Sequence, residues 1–154
     1  MNTCKYQYGW TLIEMIIVIA IIAVLASMVI TITIGIDNQS RERSLKSAFA
    51  LLDGALQEYY DFRQTFPDPN ESSYPTHSAA LYAQLYATPG SKQILEKISD
   101  TLIKKAPGAD DIPQIYDPWG TILDYRYVSG DTFPSLISAG PDKILGTADD
   151  ITNR

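Results

Sequence analysis

Apolar residues run almost without a break through the first quarter of the chain. Between residues 15 and 36 the interruptions are Ser27, Thr31, Thr33 and Gly35. A helix rises about 1.5 Å per residue, so this stretch is long enough to cross a hydrocarbon layer of about 30 Å. Because the run is apolar on every side, a single globular core could not cover it. The pattern predicts that residues 10–36 form a transmembrane helix, or a helix surrounded by other helices.

After this run the apolar residues form a stripe. They recur at the i, i+3, i+4, i+7 spacing of a helix that is apolar on one side. The stripe consists of Leu45, Ala48, Phe49, Leu52, Ala55, Leu56 and Tyr59. The spacing predicts one helix from residue 11 to about residue 62. We expect its second half to pack within a folded head, residues 37–154.

Prolines and glycines divide the middle of the chain into shorter segments. Several prolines predict an irregular loop over residues 65–76. A helix is predicted over residues 78–87. A further helix is predicted from Ser91, as its cap, to about Lys105. Its apolar face would hold Ile94, Leu95, Ile98 and Leu102.

The last third of the chain has the pattern of a small sheet. The sequence Asp-Pro-Trp-Gly at residues 117–120 predicts a type I turn. Alternation over residues 121–128 predicts a strand, with residues 133–138 as its antiparallel partner. Two strands are marginal alone, so they should pack on the helical stripe. The predicted fold class is α+β: a long N-terminal helix, a small helical segment and a short C-terminal antiparallel sheet.

Composition and missing motifs exclude several functions. The formal net charge of −6 disfavours a nucleic acid partner. The only cysteine is Cys4, so no disulfide can form within the chain. The only histidine is His77, which excludes a zinc site of several histidines and leaves one candidate for a Ser/His/Asp triad. No Walker loop, dinucleotide turn or HExxH motif occurs, and we expect no enzyme.

Glu14 is the one charged residue in the apolar run. With Thr11 it fits a capping box, in which the two side chains satisfy backbone N–H groups at a helix start. An ordinary signal peptide cut after Ala26 would place this acid in its apolar region, and a plain anchor would use it only as a cap. A cut between Gly9 and Trp10 would instead free an amine four residues before Glu14, so that the two charges could pair.

This N-terminus resembles the class III signal of type IV pilins and type II secretion pseudopilins. The similarity lies in a short polar leader ending in Gly9, an aromatic residue, the sequence Thr-Leu-Ile-Glu at 11–14 and the apolar run. It implies that a prepilin peptidase removes residues 1–9 and that Trp10 becomes the methylated N-terminus. It also implies that Glu14 pairs with the amine of a neighbouring copy during assembly. The family usually has Phe where this chain has Trp10.

Three carboxylates lie close together near the end of the sequence. They belong to Asp142, Asp149 and Asp150. The plain interpretation is a solvated acidic turn, and the pattern of an EF-hand is missing. The alternative is one Ca²⁺, which accepts both carboxylate and carbonyl oxygens. Asp142 and Asp149 could bind the ion from opposite ends and so stabilise a head without disulfides.

The C-terminal third also resembles the calcium loop of major pseudopilins of the type II secretion system. The similarity lies in the Asp-Pro-Trp-Gly turn before a strand, Ser-x-Gly-x-Asp at 138–142 and Asp-Asp-Ile at 149–151. It implies Asp142 and Asp149 as carboxylate ligands and backbone oxygens from Ala139 and Ile151. Asp150 is an accessory candidate.

Together these resemblances imply a structural subunit of a type II secretion pseudopilus. Such a subunit sits in the inner membrane with its head in the periplasm. It then polymerises with copies of itself and other pseudopilins, at an inner-membrane assembly platform, to drive protein export. One alternative is a type IV pilin for adhesion or motility, although those commonly carry a C-terminal disulfide. The other is a membrane-anchored calcium-binding or hydrolytic domain.

Overall fold

The computed structural model describes residues 10–70, 74–105 and 112–154, except for the side chains of residues 28–36. Over these residues the chain forms three helices and five strands. They are α1 (Leu12–Arg63), α2 (His77–Tyr86), α3 (Pro89–Leu95), β1 (Ile103–Lys105), β2 (Pro113–Ile115), β3 (Asp124–Arg126), β4 (Ser135–Ser138) and β5 (Ile151–Thr152). The α+β class predicted from the sequence is confirmed.

The chain divides into two compact units, Met1–Gln39 and Ser40–Arg154. In the first unit, the side chains of residues 10–27 are exposed. Over the residues described, no helix is both long enough and apolar enough to cross a membrane. The predicted leader, residues 1–9, and the side chains of residues 28–36 lie outside the described residues. The assignment of residues 10–36 to a membrane span stays a prediction.

Helix α1 runs for 52 residues, and its predicted extent is confirmed to within one residue at each end. It ends where Gln64 adopts a left-handed backbone conformation, with φ at +59°. The N–H of Gln64 donates to the carbonyl of Tyr60 at 2.7 Å. A left-handed residue closing the last turn is a common way for a helix to stop.

The core of the second unit is built on the apolar stripe of α1. All seven stripe residues are buried, at 8% exposure or less. The same core contains Leu81 and Leu85 of α2, together with Leu123, Tyr125 and Leu136 from the last third of the chain. Each large side chain that is fully buried contributes about 1.5–3 kcal/mol. The predicted packing of the sheet on the stripe is therefore confirmed.

Helix α2 begins at the residue after Thr76, whose hydroxyl oxygen accepts the N–H of Ala79 at 3.1 Å. Helix α3 begins after Thr88, with Pro89 in its first turn. A proline is suited to this place because the N–H it lacks would have no partner within the helix.

The predicted helix from Ser91 to Lys105 is wrong over most of its length. Helix α3 ends at Leu95, and Ser91 lies inside it rather than at its cap. The carbonyl of Leu102 accepts the N–H of Tyr116 at 2.7 Å, so its partner lies across a β-ladder and not one helical turn away. Strand β1 follows and pairs antiparallel with β2, which places Lys104 opposite Gln114.

A second sheet follows, with the antiparallel order β3-β4-β5. The two predicted strands are present but shorter, and Tyr125 of β3 pairs with Leu136 of β4. Strand β5 was not predicted; it places Ile151 opposite Ser138. The sheet therefore holds both ends of the intervening loop, residues 139–150, which we call the acidic loop.

The turn at residues 117–120 is confirmed. The N–H of Gly120 donates to the carbonyl of Asp117 at 3.0 Å, and Gly120 has a φ of +89°. The Nη1 atom of Arg41 donates to the carbonyl of Pro118 at 2.6 Å. This bond ties the turn to α1 within the second unit.

Candidate functional site

The start of α1 contains the capping box expected from the sequence. The backbone N–H and the hydroxyl of Thr11 both donate to Oε2 of Glu14, each at 2.8 Å. In return, the N–H of Glu14 donates to the Thr11 hydroxyl at 3.3 Å. Both carboxylate bonds fall on one oxygen, and Oε1 carries no hydrogen bond within the described part of the chain. Glu14 therefore caps the helix and keeps an oxygen for a further donor.

The predicted cleavage site lies at the edge of what the structure describes. Trp10, the predicted new N-terminus, is 76% exposed. Gly9 lies outside the described residues, so its place as the cleavage glycine stays a prediction.

Asp149 joins the two halves of the acidic loop. Its Oδ2 atom accepts the backbone N–H of Asp142 at 3.1 Å, and its Oδ1 atom accepts the hydroxyl of Thr147 at 2.6 Å. Hydrogen bonding by Thr147, and then by the backbone of Asp142, lowers the pKa of Asp149 below its ordinary value. Hydrogen bonds to a carboxylate favour its charged form.

Asp142 and Asp150 also receive backbone hydrogen bonds inside the acidic loop. Oδ1 of Asp142 accepts the N–H of Ile144 at 2.8 Å. Oδ2 of Asp150 accepts the N–H of Gly146, also at 2.8 Å. The other oxygen of Asp150, Oδ1, is buried and has no hydrogen-bond partner among the described residues. A buried acceptor without a partner is costly, and a cation beside it would remove that cost.

The two ends of the acidic loop come together at Gly140. This residue has a φ of +63°, which favours glycine. A Cβ atom at this position would overlap the carbonyl oxygen of Asp149. Ala139, one of the predicted carbonyl ligands, is fully buried beside it. Ile151, the other one, begins strand β5 opposite Ser138.

The oxygens of the acidic loop fit a hard cation better than a softer metal. Over the residues described, no three His, Cys, Asp or Glu side chains form a group that could hold a metal. The predicted calcium set depends partly on the backbone oxygens of Ala139 and Ile151, and calcium binds such carbonyls as well as carboxylates. The unpartnered Oδ1 of Asp150 fits the same chemistry. The calcium site stays a prediction.

Two buried polar residues beside the acidic loop are hydrogen-bonded to each other, and the sequence did not predict this contact. Asp117 is 2% exposed and Ser138 is fully buried. The Ser138 hydroxyl donates to Oδ2 of Asp117 at 2.7 Å. Each residue lies in a motif of its own, but nothing in either motif indicates that two positions 21 residues apart would meet.

His77 lies at the surface near a different pair of charges. Its Nδ1 atom is 3.5 Å from Oδ1 of Asp124, whose Oδ2 is bound by Nε of Arg126 at 2.6 Å. The neighbouring Ser78 hydroxyl is engaged by both backbone groups of Ile115, at 2.9 and 3.1 Å. The serine next to this histidine therefore holds a strand in place and is poorly placed to act as a nucleophile.

Known proteins resemble this chain at two levels. Residues 4–30 match the prokaryotic N-terminal methylation motif. Over nearly the whole chain, 32% of 155 residues are identical to a type II secretion system core protein G of Escherichia coli K12. That alignment covers 99% of this chain and 94% of the relative.

Two further relatives with the same name come from other bacteria. The protein of Klebsiella pneumoniae is 30% identical over 149 residues, covering 96% of this chain and 94% of the relative. That of Vibrio cholerae is 28% identical over 159 residues, covering 99% and 95%. No solved structure matches the chain at a significant level.

Proposed function

We infer how this chain works from its family. It belongs to the family of type II secretion system core protein G and is a structural subunit of a pseudopilus. The observation that carries this function is the length of the similarity. Type IV pilins share the N-terminal motif, but the relatives named as secretion core proteins match 94% or more of this chain, including its head. This favours secretion over adhesion or motility.

Processing is the first step that we propose. A prepilin peptidase removes residues 1–9 by cutting between Gly9 and Trp10, and the new amine of Trp10 is then methylated. The methylation motif over residues 4–30 supports this step. A chain whose mature N-terminus began at Ser27, or that kept Met1, would contradict it.

Before assembly, residues 10–36 hold the subunit in the inner membrane with its head in the periplasm. The support is the apolar run itself, since a helix that is apolar on every side is stable in hydrocarbon. The subunit then leaves the lipid at an inner-membrane assembly platform. It joins copies of itself and other pseudopilins through this same helix.

Pairing between subunits uses Glu14 and the Trp10 amine of a neighbour. Each charge alone is costly in a lipid or helical surrounding, and the pair offsets both costs. The capping box supports this role rather than competing with it, because both bonds from Thr11 use one carboxylate oxygen and leave Oε1 for the amine.

One Ca²⁺ bound in the acidic loop stabilises the head. Asp142 and Asp149 would hold it with their carboxylates, Ala139 and Ile151 with backbone oxygens, and Asp150 as an accessory ligand. When bound, the ion offsets the repulsion between three nearby acids and joins the two ends of the loop. The unpartnered Oδ1 of Asp150 and the close approach of Gly140 to Asp149 support this site.

The function is tested by deleting the gene in its own host. Proteins that are normally exported should then remain in the periplasm, and the wild-type gene should restore their export. As a control, a variant with Gly9→Val should be made but not processed, and should not restore export. Normal export combined with lost adhesion or motility would instead identify a type IV pilin.

A further inference from the structure

A buried carboxylate lies at the turn that follows β2. Asp117 is 2% exposed, yet it carries three hydrogen bonds. Its Oδ1 atom accepts the N–H groups of Trp119 and Thr121, at 3.0 and 2.7 Å. Its Oδ2 atom accepts the hydroxyl of Ser138 at 2.7 Å. A buried charge needs such partners, and these come from both the turn and strand β4.

The bond to Asp117 fixes which way the Ser138 hydroxyl points. A carboxylate accepts hydrogen bonds and donates none, so the single hydroxyl hydrogen of Ser138 must go to Asp117. The Ser138 oxygen then presents a lone pair to the chain beyond β4. It accepts the N–H of Gly140 at 3.1 Å. Asp117, Ser138 and Gly140 thus form a directed chain of hydrogen bonds, which we call the buried relay.

The buried relay ends at the point where the acidic loop closes. Gly140 holds a left-handed conformation in contact with the backbone of Asp149, leaving no room for a Cβ atom. Asp149 in turn accepts the N–H of Asp142 at 3.1 Å. The orientation of Gly140 therefore sets the distance between the two halves of the loop that carry the candidate ligands.

We propose that Asp117 and Ser138 are positioning residues for the calcium site, because the buried relay holds the acidic loop ready to receive the ion. This inference rests on the calcium site proposed above. Both oxygens of Asp117 are already engaged, so its role is indirect. Substitution of a residue that supports a metal site without touching the ion typically lowers the affinity for the metal by 10- to 100-fold.

The test compares two serines in the same head. Ser138→Ala removes the centre of the buried relay. Ser78→Ala is the matched control, because Ser78 is also buried and also donates one bond and accepts one, but both of its partners are on Ile115. Calcium is titrated by calorimetry into the full processed chain in detergent. We expect Ser138→Ala to weaken binding by about 10- to 100-fold. Ser78→Ala should bind as the wild type does.

A second variant and a metal-free measurement distinguish weaker calcium binding from unfolding of the head. Asp117→Asn should weaken calcium binding in the same way, and near-ultraviolet circular dichroism in chelator reports whether each variant is folded. Wild-type affinity in folded Ser138→Ala would overturn the positioning role and leave the calcium site standing. If the wild type itself binds no calcium, the site and the inference both fall. If both relay variants are unfolded, the relay supports the whole head, and the specific role is also overturned.

Discussion

Glu14 caps α1 and is also the acid that we propose pairs with a neighbour's amine during assembly. Capping boxes accept either Glu or Gln at this position, because the amide oxygen can also receive the N-cap hydrogen bonds. Only Glu carries the charge that would pair with an amine. The two roles can therefore be separated by changing a single group.

We predict that Glu14→Gln will be processed normally but will fail to polymerise, as Glu14→Ala will. The amide keeps the cap and loses the charge, so the failure of both variants would assign assembly to the charge. Processing is followed by mass spectrometry and polymerisation by electron microscopy of sheared fibres. Fibres from Glu14→Gln at the wild-type level would reduce Glu14 to a helix cap.

The stability that Asp149 gives to the acidic loop depends on pH, and the direction of its pKa shift determines the sign of that dependence. Thr147 and the backbone of Asp142 lower the pKa of Asp149 below its ordinary value of 3.8. A carboxylate whose pKa is lowered by folding stabilises the protein above its unfolded pKa, and the contribution disappears as the pH falls through the folded pKa.

We therefore expect Thr147→Val, in calcium-free buffer, to melt below the wild type at pH 6, with the difference in Tm shrinking below about pH 4. Thr65→Val is the control, because its hydroxyl donates to the backbone carbonyl of Phe66 rather than to a carboxylate. Its difference in Tm should not change over this range. A difference for Thr147→Val that stayed constant or grew in acid would contradict the assigned hydrogen bond.

At the scale of the element, α1 contributes one continuous stripe of seven residues to the head's core. Leu52 is fully buried, whereas its neighbour Leu51 is only partly buried against the same core. We predict that Leu52→Ala will lower the free energy of unfolding by about 2–5 kcal/mol. Leu51→Ala, the same change one position away, should cost clearly less. Thermal unfolding followed by near-ultraviolet circular dichroism measures both, and equal losses would refute the assigned faces.

The elements that the sequence predicted are those whose pattern is local. The stripe of α1 repeats every three or four residues for several turns, and the residues of β3 alternate, so period alone identified them. The helix predicted to Lys105 failed because Leu95, Ile98 and Leu102 have helical spacing and are all buried, although only Leu95 lies in a helix. The spacing correctly predicted that these residues are buried, but it did not predict the backbone conformation that buries them.

Short strands and long-range contacts could not be predicted from the sequence. Strand β5 has two residues, too few to show any alternation. The bond between Asp117 and Ser138 joins positions 21 residues apart, and only the paired strands bring them together. The candidate ligands Asp142 and Asp149 could be named from the sequence because a motif carries them. The residues that hold their loop could not.

At the scale of the whole molecule, calcium would substitute for the disulfide that this chain cannot form. We predict that the processed chain, melted in detergent, gains about 2.7 kcal/mol of stability when calcium is present at a hundredfold excess over Kd, compared with chelator. Asp142→Asn should lose most of this gain. Asp131→Asn is the matched control, because Asp131 also accepts a backbone N–H in a turn but lies outside the acidic loop.

Magnesium serves as a second control, since its smaller shell and reluctance to lose water make it a poor substitute for calcium at a flexible loop. Equal melting in calcium and in chelator would remove the site. A gain that Asp142→Asn retains would place the ion elsewhere.

The strands of the head are only two to four residues long. A fibre brings many copies of one chain side by side, at a local concentration at which exposed strand edges would invite pairing between heads. Very short edges offer little template for such pairing, and the exposed lysines at positions 104 and 105 on β1 discourage it further. Short strands with charged edges thus disfavour amyloid-like pairing between heads, which suits a fibre that is assembled through α1 as we propose.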